Sequence, residues 1–293
     1  MSAFSRFHCL LSGIGFLLVG CSSHIGKPGS PPPEPVKTDY ELIRDVTFSP
    51  DSWPQKLLAD IYIPQGQGQG QGPWPGVLLV YGGGWEGGDR DQVEGIAKRL
   101  AKRGFAVFST SYRLAPAFRF PEQVKDVQLA LAWMHAHAAD YRIAPDKIGA
   151  WGYSAGAHLA ALVATLSPGD ELAAKPRPIA VVAGGIPSDL SKFKGGKLVP
   201  QFLDTTWDKS PETYRKASPV TYISKDDPPF FIYHGGLDQL VPVDHAQDMH
   251  DDLLKAGVHS ELFILKGRGH ITAFLTDGPA FKAAAAFLDR YLR

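Results

Sequence analysis

"DKIGAWGYSAGAHLAAL" (residues 146–162) decides the fold. Apolar residues run up to Trp151, the chain tightens at Gly152-Tyr153-Ser154-Ala155-Gly156, and an Ala/Leu-rich pattern follows. Ile148 to Trp151 is short, apolar and preceded by Pro145-Asp146, which reads as a buried strand. His158, Leu159, Leu162, Val163 and Leu166 then fall at helical spacing. Gly-x-Ser-x-Gly is a short pattern in a chain with 31 glycines among 293 residues. Composition alone yields on the order of 0.2 occurrences per such chain, so position carries the argument. At a strand-to-helix corner the serine is lifted off the sheet and the helix N-terminus points at it. Glycines two residues to either side keep side chains out of the tight crossing.

A serine hydroxyl is a poor nucleophile until a base takes its proton and a carboxylate orients that base. In a parallel sheet such groups gather at the carboxyl ends of strands. After "PFFIYH" (229–234) comes Gly235-Gly236-Leu237-Asp238, and after "ELFILKG" (261–267) comes Arg268-Gly269-His270. The chain order Ser154, Asp238, His270 is that of an α/β-hydrolase triad. Asp244 competes for the acidic role but sits inside the next helix. His234 is embedded in a strand and His158 reads as a structural histidine on the elbow helix. The developing oxyanion also needs donors. Tyr81-Gly82-Gly83-Gly84-Trp85 follows an apolar strand, and its glycines let the backbone turn N–H groups toward the serine. Gly83, Gly84 and the N–H of Ala155 are assigned to that role. A phosphate loop would carry Lys-Ser/Thr or G-x-G-x-x-G, and neither is present here.

Around these motifs, strands alternate with helices. "PGVLLVYGG" (75–83), "FAVFSTSY" (105–112), the elbow strand, "IAVVAGG" (179–185), "PFFIYHGG" (229–236) and "SELFILKG" (260–267) read as strands. Helical spacing covers 93–104, 123–137, 243–256 and 279–292. Glu41–Ser49 and Lys56–Ile63 form an antiparallel start. The pattern predicts an α/β fold with a mostly parallel sheet and helices on both faces.

"YGGGW", "SYRLAP", "FPEQVKD", "GYSAG", "GGLDQLVP" and "GRGH" together resemble the hormone-sensitive-lipase-like and bacterial feruloyl/acetyl-esterase-like branch of the α/β-hydrolases, across nearly all of 40–293. The resemblance implies carboxylester hydrolysis through an acyl-enzyme, without metal or organic cofactor. One departure is Tyr81, where the family usually has a His that braces the glycine loop. In the family, insertions such as residues 186–224 cap the active site; surface decoration with packed aromatics is the alternative. Trp85, Tyr153, Phe193, Phe202 and Trp207 are the candidate pocket residues. The expected substrates are small-molecule or carbohydrate esters, of short acyl or aromatic acids, including acetylated or feruloylated sugars. Amide hydrolysis by the same triad and a non-catalytic envelope-binding protein remain alternatives.

Thirty basic and thirty acidic residues, interspersed, give no support for a nucleic-acid partner. The N-terminus is a separate unit. Arg6 precedes an apolar run from Cys9 to Val19, too short to span a bilayer, and residues 1–20 read as a signal peptide. Leu18-Val19-Gly20-Cys21 resembles the lipobox of bacterial lipoproteins, which implies a lipidated Cys21 and a membrane-anchored protein of the cell envelope. Ser22 after the cysteine points, by the same resemblance, to the outer membrane. Residues 21–39 are Pro-rich and polar and read as an extended tether, able to hold the domain up to roughly 50 Å from the membrane. The Gln/Gly stretch from Gln65 to Gly72 reads as a surface loop.

Overall fold

Six parallel strands supply the frame that positions the site. The computed structural model describes residues 22–27, 34–66 and 72–293. The predicted signal peptide, Cys21 and the centre of the Gln/Gly loop lie outside the described residues. Nine strands form one sheet: β1 (Ser22–Ile25), β2 (Asp39–Thr47), β3 (Leu58–Gln65), β4 (Trp74–Val80), β5 (Ala106–Thr110), β6 (Ile143–Tyr153), β7 (Val181–Gly184), β8 (Phe230–Gly235) and β9 (Ser260–Leu265). Their order is β1-β9-β8-β7-β6-β4-β5-β3-β2. Strands β4 to β9 run parallel, while β1, β2 and β3 pair antiparallel with their neighbours. This is the α/β-hydrolase fold. The chain leaves β4 for β5 on one side and returns to β6 on the other. The order therefore reverses between β4 and β6, and a crevice opens at their carboxyl ends.

Helices cover both faces. On one face α1 (Glu94–Ala101) and α8 (Gly278–Leu292) are joined by Arg99–Asp277 and Arg103–Asp289 ion pairs. On the other, α3 (Ala155–Thr165) packs beside α2 (Glu122–Ala136), and α6 (Asp244–Lys255) lies on β8 and β9 and shares a core cluster with α3. Every residue of α3 is buried. Its Ala157, Ala161 and Ala164 sit against Val181, Ala183 and Ile232 of the sheet, because only small side chains allow so close an approach.

Two boundaries differ from the sequence reading. Residues 21–39 are not a tether throughout. Ser22–Ile25 form β1 on the open edge of β9, with Ser22 opposite Leu265 and Ile25 opposite Leu262. The His24 ring packs on Phe231 and Phe263, and its Nε2 lies 2.7 Å from Glu261. Thr38 is likewise tied to the body, its N–H donating to the Lys102 carbonyl. The stretch 186–224, to which the sequence reading assigned no strand or helix, has elements of its own. It contains α4 (Leu198–Leu203), α5 (Pro211–Lys216) and two short 3-10 turns. A further short helix, α7 (His270–Leu275), follows β9.

Candidate active site

Ser154 sits between β6 and α3 with φ 53° and ψ −123°, a strained conformation for a residue with a side chain. The flanking glycines explain how the corner closes. A Cβ on Gly152 would stand 2.3 Å from the Gly156 carbonyl, and one on Gly156 would stand 2.1 Å from the Val80 carbonyl. No side chain fits either position. The Ser154 N–H donates to the Gly184 carbonyl at 2.8 Å, which pins the turn to β7.

His270 arrives from the end of β9 and Asp238 from the end of β8. Nε2 of His270 lies 2.9 Å from Ser154 Oγ, and its Nδ1 lies 2.6 Å from Asp238 Oδ2. The neutral imidazole therefore donates from Nδ1 to the carboxylate and leaves Nε2 to accept the serine hydroxyl. The Tyr153 hydroxyl donates to the His270 carbonyl at 2.5 Å and holds the backbone of the base. Burial pushes the Asp238 carboxyl up. Bonds from His234, His270 and the Val241 N–H outweigh that and hold it well below the usual carboxylate range. Asp244, the competing carboxylate, lies on α6 and pairs with Lys192 at 3.0 Å. It does not approach His270.

The glycine loop reaches the site from the end of β4. Gly83 and Gly84 have φ of 120° and 61°, in the region that favours glycine, and a Cβ on Gly83 would meet the Gly87 carbonyl at 2.1 Å. Among the described residues, the N–H groups of Gly83, Gly84 and Ala155 donate to no protein acceptor. Gly84 and Ala155 line the same cavity as Ser154. Tyr81 occupies the position of the family His. It is buried, stacked on Tyr112 at 4.5 Å, and takes the Tyr112 hydroxyl on its own carbonyl at 3.2 Å. Two tyrosine rings thus support the loop from below.

The cavity holds about 330 Å³. Of the five candidate pocket residues, Trp85 and Phe193 line it. The other three do not. Phe202 is fully buried behind the wall, stacked on Trp85 at 4.5 Å. Tyr153 faces His270 and Phe274 beneath the site. Trp207 packs edge-on against Tyr214. Aromatic side chains in a short insertion can face the core as readily as a cavity, and the sequence carries no period there to separate the two. Instead Pro187, Leu198, Val199, Leu240 and Val241 complete the apolar wall, with the Gly195–Lys197 segment. Leu240 and Val241 come two and three residues after Asp238, so their proximity was readable from the triad itself. His158 is fully buried. It accepts the Trp85 indole N–H on Nδ1 at 3.2 Å and donates from Nε2 to the Ala217 carbonyl at 2.6 Å. It thereby ties the glycine loop to the insertion. Among the described residues, no group of three His, Cys, Asp or Glu side chains is placed to hold a metal ion.

A family model described as BD-FAE matches residues 59–253. A probable carboxylic ester hydrolase, LipM, of Mycobacterium tuberculosis is 36% identical over 193 residues, covering 61% of this chain and 44% of that protein. Esterase LipC of the same organism is 32% identical over 247 residues, covering 75% and 59%. The chain thus spans about half the length of the curated relatives it matches. A solved structure described as a truncated form of a carbohydrate esterase from gut microbiota shares the fold. Its TM-score is 0.73 at 24% identity, covering 89% of this chain and 99% of that one. The protein belongs to the BD-FAE family and is built on the α/β-hydrolase fold.

Proposed function

We propose that this protein is a serine carboxylester hydrolase. One observation carries the reading: a serine hydroxyl 2.9 Å from an imidazole that is itself 2.6 Å from a buried carboxylate, opening onto an apolar cavity. Ser154 Oγ attacks the ester carbonyl carbon while its proton passes to His270 Nε2. The carbonyl electron pair moves onto oxygen, where the N–H groups of Gly83, Gly84 and Ala155 stabilise it. Collapse expels the alcohol, which leaves with the proton from His270. A water then attacks the acyl-enzyme by the same route, frees the acid and restores Ser154. A cavity of about 330 Å³ is at the small end of ligand sites and suits a short acyl chain or one aromatic ring. The similarity to the esterases LipM and LipC and to a carbohydrate esterase supports ester substrates, including esterified sugars.

Ser154→Ala tests the mechanism. It should fold, fail to react with a fluorophosphonate probe and lose roughly 10³-fold or more in kcat on p-nitrophenyl acetate. A variant that keeps most of its activity would overturn the assignment.

The Leu18-Val19-Gly20-Cys21 sequence supports a second part of the reading: a bacterial envelope protein anchored through lipid on Cys21. Cys21→Ser should shift the protein out of the membrane fraction. Unchanged fractionation would remove the anchor.

A further inference from the structure

The three most exposed large apolar side chains among the described residues are Leu275, Leu237 and Ile271, at 70%, 66% and 61%. All three stand beside the triad. Leu237 immediately precedes Asp238. Ile271 immediately follows His270, and Leu275 lies one turn further along the same face of α7. The two loops form one unit. The Leu237 N–H donates to the Arg268 carbonyl at 2.8 Å, and Asp238 holds His270. Leu240, also exposed, donates its N–H to Asp238 and lines the cavity, so the apolar rim runs without a break into the site. Isolated exposed leucines are ordinary; a contiguous group at one end of a sheet marks an interaction surface.

The register of β1 says what the surface meets. Ser22 pairs with Leu265, the last residue of β9, so the chain enters the fold at the carboxyl end of the sheet, beside the loop that carries His270. Cys21 is bonded to Ser22. A lipid on that residue would be one peptide bond from the start of β1. Lys266 and Arg268 lie on the same loop, and neither is in an ion pair among the described residues. Basic side chains around an apolar patch match an anionic lipid surface.

We propose that the Leu237–Leu240 and Ile271–Leu275 rim rests on a lipid bilayer, so that the cavity opens toward the membrane interface and takes its esters from there. The anchor part rests on the reading of Cys21 above. The rim stands on its own side chains and is tested without the anchor.

The test uses residues 21–293 carrying Cys21→Ser, which contain all nine strands of the sheet, and vesicles of phosphatidylethanolamine with phosphatidylglycerol. The protein should co-sediment with the vesicles. The double variant Leu237→Ser/Leu275→Ser should bind at least about tenfold more weakly, since two large apolar side chains leave the interface. Leu254→Ser, equally an exposed leucine (49%) but at the C-terminal end of α6, should bind as the parent does. All three proteins should hydrolyse p-nitrophenyl acetate alike, which separates loss of docking from loss of fold or chemistry. The proposal is overturned if the parent does not bind, or if the double variant binds equally well. It is also overturned if the substitutions split a dimer in ultracentrifugation without changing vesicle binding, because the rim would then meet a second copy.

Discussion

Oδ2 of Asp238 faces two imidazoles: Nδ1 of His270 at 2.6 Å and Nε2 of His234 at 3.3 Å. His234 Nε2 also donates to the Val241 carbonyl at 2.8 Å, so its N–H is fixed between the two acceptors. The carboxylate is thus held in place by a side chain that never reaches substrate. Asp238→Asn should lower kcat by roughly 10³–10⁴-fold at every pH from 6 to 9, because the amide no longer selects the required tautomer of His270. His234→Phe should lower kcat by about tenfold with KM unchanged, as expected for a positioning residue. Steady-state kinetics on p-nitrophenyl acetate check both. A His234→Phe enzyme with wild-type kcat would reduce His234 to packing.

Two other histidines make the fold sensitive to acid. Burial lowers His158 and His245 to about 4, from an ordinary 6.5. Below about pH 6.5 the unfolded chain takes up protons that the folded chain refuses until about pH 4. Stability is therefore full above that window and falls through it as the pH drops, by up to about 1.4 kcal/mol per pH unit for each histidine. The melting temperature should fall between pH 7 and pH 5, and His245→Asn should fall less over the same interval. Equal falls in the two proteins would count against this account.

The motifs "SYRLAP" and "FPEQVKD" meet as a buried ion pair. Arg113 donates to Asp126 at 2.8 Å, and the same carboxylate accepts the Arg113 backbone N–H and the Trp53 indole N–H, each at 2.8 Å. Asp126→Ala leaves the guanidinium buried without this partner. It should cost about 3–5 kcal/mol in urea unfolding. A loss under 1 kcal/mol would show that Glu122, 2.7 Å from Arg113, suffices alone.

Phe193 and Leu198 belong to the cavity wall, and Trp207 does not. Phe193→Ala or Leu198→Ala should raise the kcat/KM ratio of hexanoate to acetate esters by about tenfold, because the wall recedes from the acyl chain. Trp207→Ala should leave that ratio within about twofold. A reversed pattern would place the acyl chain elsewhere.

The parallel strands, the elbow and the three residues now found together were legible because each carries a local signal. Val77 to Val80 is apolar throughout, the Gly152/Gly156 spacing marks the corner, and Asp238 and His270 follow strand ends. What was not legible depends on tertiary packing. Ser22–Ile25 has no strand pattern of its own and becomes β1 only because β9 has an open edge. The helix Leu198–Leu203 contains Pro200 and is too short to display a period. The faces of Phe202 and Trp207 are set by Trp85 and Tyr214, which are distant in sequence. The approach of His234 to Asp238 was not legible either, because a strand residue signals nothing about the loop four residues on.

A sheet with an unpaired outer strand is a template on which another molecule can add its own. Here the outer strand at one edge, β1, is only 4 residues long, and the strand at the opposite edge is broken. In β2 the register shifts between Ile43 and Val46, around an Asp45 with φ of 56° and a charged Arg44. Neither edge presents a long flat ladder. Many copies gathered at high local density therefore lack the seam along which sheets polymerise, and four residues at the start of the fold supply half of that protection.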